Sequence, residues 1–116
     1  MNTKKNSKIN LIIELGADKV PEKITWESTD NPDGKGPIEC KAFMLSLFDK
    51  EYKDTFRIDL WTKEMQVSEM DRLVYFTLKG MTETYHKATQ NADLANHLAK
   101  FTQFFGEESK ILTKEE

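Results

Sequence analysis

Cysteine is almost missing from this chain: Cys40 is the only one among 116 residues. No intrachain disulfide can staple the fold, so a disulfide scaffold is excluded. Proline and glycine are also scarce, at three and five residues. Two of the prolines, Pro32 and Pro37, and two of the glycines, Gly34 and Gly36, fall in one short stretch. Arginine is rare too: Arg57 and Arg72 are the only two among 17 basic residues. No apolar run approaches the ~18 residues that a membrane-spanning helix needs. Positive charge is not in excess, since the formal net charge is −3 and the isoelectric point is near 5.5. That disfavours a nucleic-acid binder, which usually shows an isoelectric point above about 9. Apolar types make up 38% of the chain and charged types 32%, so the apolar positions must be well placed to build a core.

They are placed in two regimes. Ile9, Leu11, Ile13 and Leu15 alternate with mostly polar neighbours, the period of a half-buried strand. Gly16-Ala17-Asp18 then supplies turn chemistry. Ile24 and Trp26 share an alternate row of a second strand that begins near Val20, with Pro21 tolerated at its start. Thr29 to Pro37 is the one long breaker run and is expected to be a loop. The stretch 39–48 contains helix formers, but it precedes a polar connector and a strictly alternating segment from Thr55 to Thr62. A strand, a connector and a strand make a hairpin, so 39–48 is expected to be one strand. Within 55–62, Phe56, Ile58 and Leu60 fall on one face and Arg57, Asp59 and Trp61 on the other.

From about residue 68 the period changes. Met70, Leu73, Val74, Leu78, Met81 and Tyr85 recur at helical spacing, after a Ser68–Asp71 pattern that resembles an N-cap. Gly80 inside this helix should cost about 1 kcal/mol against Ala, and close packing by a neighbour is the expected reason for it. Ala88-Thr89-Gln90-Asn91 ends the helix and caps the next, in which Leu94, Leu98, Phe101 and Phe105 form the stripe, widened by Ala95 and Ala99, and Gly106 the stop. The expectation is an α+β domain over residues 9–106: a four-stranded antiparallel sheet followed by two amphipathic helices packed on one face. Residues 1–8 and 107–116 are expected to be flexible ends. The N-terminal segment lacks the apolar core of a signal peptide, which with the lone cysteine points to the cytoplasm.

Few residues suggest chemistry. Gly34-Lys35-Gly36 lacks the spacing of a phosphate loop. His86, His97 and Cys40 fall in no metal-ligand pattern, and a lone strand cysteine is commonly a small buried hydrophobe. No catalytic residue, cofactor or metal is therefore expected, and the chain reads as noncatalytic. The informative residues are Arg57, Asp59 and Trp61. One reading is an ion pair on a solvated face; the other is a face that binds a protein, with Trp26 and Trp61 as anchors. Apolar surface left on the second sheet face, assigned to Ile12, Trp61, Phe43, Leu45 and Leu47, leads to an expected homo-oligomer.

Val20-Pro21-Glu22-Lys23-Ile24-Thr25-Trp26, Met44-Leu45-Ser46-Leu47-Phe48-Asp49 after Lys41-Ala42, Arg57-Ile58-Asp59-Leu60-Trp61-Thr62-Lys63-Glu64-Met65 and Ala88-Thr89-Gln90-Asn91 resemble the gliding-motility-associated GldC family of Bacteroidetes-type bacteria. The resemblance spans nearly the whole chain and is most specific over Arg57–Met65. It implies a small soluble cytoplasmic protein that assists gliding motility through partners in the motility or secretion machinery, with no assigned catalytic residues. The expected element order is also similar to that of the SecB export chaperone, an analogy of order alone that suggests a client-holding alternative.

Overall fold

In the computed structural model, residues 5–30 and 36–113 are described. Part of the expected 29–37 loop and the outermost residues of both expected flexible ends lie outside them. The described elements are five strands followed by two helices: β1 (Ile9–Leu15), β2 (Pro21–Ser28), β3 (Ile38–Cys40), β4 (Ala42–Phe48), β5 (Thr55–Trp61), α1 (Val67–Thr89) and α2 (Ala92–Glu108). The α+β class and the antiparallel pairing are as expected; the single four-stranded sheet is not. Contacts divide the chain into two units, residues 1–65 with the strands and residues 66–116 with the helices.

The strand unit contains a three-stranded sheet, ordered β1-β2-β3, and a two-stranded sheet, β4-β5. The expected strand over 39–48 is broken at Lys41, so its first part pairs with β2 and its second with β5. The residues explain the break. In β3 the apolar side chains stand at even positions, Ile38 and Cys40; in β4 the bulky row stands at odd ones, Phe43, Leu45 and Leu47. A strand's side chains alternate with a period of two, so one straight strand cannot keep both sets on one face. The bend at Lys41 absorbs the slip. The ladder resumes directly after it, where Thr62 N–H donates to Lys41 O at 2.8 Å.

Register defines the faces. Ile24 lies opposite Ile13 and Cys40, and Trp26 opposite Leu11 and Ile38. These residues make one apolar face, and Ile24 at its centre is fully buried. The β1–β2 turn is held by Asp18, whose Oδ1 accepts from Val20 N–H at 3.1 Å and whose Oδ2 accepts from Lys63 Nζ at 2.8 Å. The β4–β5 connector is closed by Asp49, whose Oδ2 accepts from the N–H groups of Glu51 (3.0 Å) and Tyr52 (2.7 Å).

The helical unit is a hairpin. The N-cap of α1 is Gln66 rather than Ser68: the Gln66 side chain and Glu69 satisfy each other's backbone N–H groups in a capping box. Gln90 at φ 59° closes α1 in the left-handed conformation, and Asn91 Oδ1 caps α2 by accepting from Leu94 N–H at 3.1 Å. The buried residues of α2 are the small ones, Ala95, Thr102 and Gly106, and the buried residue of α1 is Tyr75. Of the expected stripe, Leu94 and Phe101 are each half exposed, whereas Leu98 and Phe105 are partly buried and Ala95 is buried. Two further expectations are reversed. Among the described residues, and apart from the nearby backbone of its own helix, Gly80 has no atom within 4 Å of where a Cβ would stand, so close packing by a neighbour does not account for it. Gly106 is not a terminal stop but lies within α2, where a Cβ would stand 2.6 Å from Tyr75 Cε1 and 2.7 Å from Leu112 Cδ1. Beyond the helix end, Leu112 N–H donates to Gly106 O at 2.9 Å and folds the chain back over it.

Candidate interaction site

The β4–β5 hairpin has two chemically distinct faces. The register sets Phe43 opposite Leu60, Leu45 opposite Ile58 and Leu47 opposite Phe56. Residues opposite each other across antiparallel strands share a face, so these six form an apolar face. This corrects the expected grouping of Phe43, Leu45 and Leu47 with Trp61. The other face carries Met44 opposite Asp59, Ser46 opposite Arg57, and Ala42 opposite Trp61. Leu47, Phe56 and Ile58 on the apolar face are each about half exposed, at 54%, 55% and 49%. That is much apolar surface for a two-stranded sheet, an arrangement only marginally stable by itself.

On the polar face Arg57 grips Asp59 in a fork. Nη2 lies 2.7 Å from Oδ1 and Nε donates to Oδ2 at 3.1 Å; Nη1 also donates to Ser46 Oγ. Planarity suits the guanidinium to this two-point contact with a carboxylate. Both side chains remain well exposed to solvent, so water screens the pair and its contribution to stability is small. Its effect is to fix where a positive and a negative charge stand on β5. Trp61 follows on the same face, 55% exposed, and with Val20, Pro21, Asp59 and Leu60 it lines a shallow, mostly apolar groove.

Arg57, Asp59 and Trp61 thus come together as one row. Trp26 does not join them. It stands on β2 in the other sheet, half-buried in the row of Ile24. Arg72, the second arginine, lies on α1 with its guanidinium carbon 4.9 Å from the Phe76 ring centroid, a cation–π contact.

The titratable groups near these elements are shifted by local causes. The Lys63 ammonium holds the Asp18 carboxyl below its usual value, helped by the Val20 N–H, and Asp18 in turn holds Lys63 above its own. Burial pushes the Cys40 thiol up, partly countered by a hydrogen bond from Ala42 N–H. A raised thiol is mostly protonated at neutral pH and a poor nucleophile. Among the described residues, no group of three or more His, Cys, Asp or Glu stands where it could hold a metal ion. No helix among them is long and apolar enough to cross a membrane.

Sequence reasoning found the Arg57–Asp59–Trp61 row, because strict alternation fixes a strand's faces. It placed the apolar row of β4, Phe43, Leu45 and Leu47, on the face of Trp61 rather than that of Phe56, Ile58 and Leu60; the signal it passed over was the change of apolar parity between Cys40 and Phe43. It also missed the Asp18–Lys63 pair, which joins residues 45 positions apart and leaves no local pattern.

No curated protein and no solved structure matches the chain. The analogy with SecB therefore gains no structural support, and its premise of four strands before two helices gives way to five strands in two sheets. The family comparison does return a match: the model of the GldC-like family, described as gliding motility-associated protein GldC-like, aligns with residues 21–111, and the chain belongs to that family.

Proposed function

We propose that this protein serves gliding motility as a noncatalytic accessory protein of the cytoplasm that binds protein partners in the motility machinery. Family membership carries the reading. The surface supports a binding role. Large apolar side chains stand exposed on the β4–β5 hairpin and on α2, with Phe56, Trp61, Phe101 and Phe104 each above half exposure. Apolar patches of this kind mark interaction surfaces. The row Arg57, Asp59 and Trp61 is the proposed docking element for a partner, with Trp26 as a second anchor in the neighbouring sheet. Self-association is part of the same reading, because a two-stranded sheet with this much exposed apolar surface is marginal by itself.

The test is genetic and biochemical. Deletion of the gene in a gliding bacterium is expected to impair colony spreading. A tagged chain is expected to recover motility components, and Trp61→Ala with Arg57→Ala to recover fewer. Normal spreading after deletion, or recovery unchanged by both substitutions, overturns the proposal. Suppression of aggregation of an unfolding client at near-equimolar ratio would favour the client-holding alternative instead.

A further inference from the structure

The strand β5 pairs with β4 along one edge, and among the described residues no strand pairs along the other. Open edges are usually blunted by proline, a bulge or charged side chains, lysine above all; the charges on β5, Arg57 and Asp59, are of opposite sign and so do not repel a second copy in every register. Over Thr55–Trp61 there is no proline and no lysine, and its register with β4 shows no irregularity. The hydrogen bonds flanking the hairpin show which backbone groups face outward. Thr62 N–H donates to Lys41 O, and Asp49 N–H to Asp54 O. Antiparallel ladders alternate, so Phe56, Ile58 and Leu60 direct their backbone groups to β4. Arg57 and Asp59 direct theirs to the open edge.

The sequence of this edge is complementary to itself. We infer that β5 pairs antiparallel with β5 of a second copy of this chain, about a two-fold axis at Ile58. In that register Arg57 lies opposite Asp59 of the second copy and Asp59 opposite its Arg57. Phe56 meets Leu60, and Ile58 meets Ile58. The outward backbone groups of Arg57 and Asp59 then make four hydrogen bonds across the axis. Other registers fail on named residues. A slip of two residues, which keeps the faces matched, sets either Arg57 against Arg57 or Asp59 against Asp59, and like charges directly opposite are destabilising; a slip of four forfeits most of the pairing over Thr55–Trp61. A slip that swaps the faces sets the apolar row against the charged one.

The intrastrand Arg57–Asp59 fork does not compete with this arrangement. A guanidinium has five donors and a carboxylate about four acceptor sites, so each can serve two partners. The product is a four-stranded sheet, β4-β5-β5-β4, with one continuous apolar face, which answers the marginal stability of two strands alone. An edge of the other sheet, β1, is a poorer candidate. Its central residues include Glu14 but no basic residue, and its register is irregular at Glu14–Leu15.

This inference rests on the self-association proposed above, and the experiment separates the two. The full chain is studied by sedimentation equilibrium, with circular dichroism to confirm that each variant folds. Arg57→Asp leaves two acidic residues facing two acidic residues, and Asp59→Arg leaves two basic facing two basic. Each is expected to weaken self-association at least ~10-fold. Mixed together, the two variants are expected to form a heterodimer, because their edges are then complementary. With Cys40→Ser, Ile58→Cys is expected to oxidise to a covalent dimer. The facing Cα atoms of a non-hydrogen-bonded pair are about 4.5 Å apart, within disulfide range. Tyr52→Cys in the connector is the control and is expected to cross-link no faster than chance collision. Self-association that persists in both charge variants, without preference on mixing, overturns this register but not self-association. A wild-type chain that stays monomeric at high micromolar concentration overturns both.

Discussion

Two glycine-to-alanine substitutions in the helical hairpin should move stability in opposite directions. Gly80 and Gly106 both lie within helices, so alanine at either brings the same gain in helix propensity, about 1 kcal/mol. At Gly80 no clash opposes it, since among the described residues no atom outside the local helix backbone lies within 4 Å of the new Cβ. Gly80→Ala is therefore expected to stabilise by about 1 kcal/mol. At Gly106 the new Cβ stands 2.6 Å from Tyr75 Cε1 and 2.7 Å from Leu112 Cδ1, far inside van der Waals contact. Tyr75 is only 7% exposed and has little room to retreat. Overpacking of this kind costs about 1–3 kcal/mol, which outweighs or cancels the propensity gain and leaves a net loss of about 0–2 kcal/mol. The two variants should therefore differ by about 1–3 kcal/mol, or about 4–12 °C in melting midpoint for a chain of this size. Ellipticity at 222 nm against temperature or urea reads the difference. A double-mutant cycle tests the cause: Leu112→Ala should cost less in the Gly106→Ala background than in wild type, because it relieves part of the clash. Equal stability of the two glycine variants, or strictly additive effects in the cycle, would refute the packing argument.

Three further outcomes follow from single contacts. Thr62 is 3% exposed and its Oγ1 meets no hydrogen-bond partner among the described residues, so Thr62→Val is expected to raise the urea midpoint, by about 1 kcal/mol in stability; a fall in the midpoint would contradict it. Asn91→Ala removes the acceptor for Leu94 N–H and should cost about 1 kcal/mol, with Asn91→Ser recovering most of it; no loss in a thermal melt would count against the cap. Asp18 is held low by Lys63, so its carboxyl should titrate below the usual aspartate value by NMR and return towards it in Lys63→Ala. Because the folded-state value is depressed, whatever stability the pair adds is present above the unfolded carboxylate's pKa and lost as pH falls through the folded one. For Lys63, whose value is raised, the contribution is present below the ordinary lysine range and lost at higher pH. A midpoint for Asp18 unmoved by Lys63→Ala would refute the coupling.

Much of this fold is legible in the residues because local patterns carry it. Alternation marks β1, β2 and β5, the change to helical spacing marks α1 and α2, and the stretch Ala88-Thr89-Gln90-Asn91 marks their junction, which the structure narrows to Gln90 and Asn91. The row of Arg57, Asp59 and Trp61 follows from parity alone. What is not legible depends on which face meets what. Helix α2 has a bulky row, Leu94, Leu98, Phe101 and Phe105, of which Leu94 and Phe101 stay exposed, and a small row, Ala95, Thr102 and Gly106, which is buried. Size alone favours burying the bulky one, whereas the approach of α1, with Tyr75 against Gly106, requires the small one. The same ambiguity exchanges the roles of Gly80 and Gly106. The ion pair of Asp18 with Lys63 depends on a turn and a strand end meeting, which no window of sequence contains.

The bend at Lys41 has a consequence for reading related sequences. Length changes are normally absorbed in surface connectors, where an added residue alters nothing but the connector. Between Cys40 and Ala42 that tolerance disappears. Removing one residue would bring the even apolar row of β3 and the odd one of β4 into phase, allowing one unbroken strand where there are now two. An alignment gap at this point in a relative would therefore signal a different sheet architecture rather than a shorter loop, and would separate homologues that share this hairpin from those that do not.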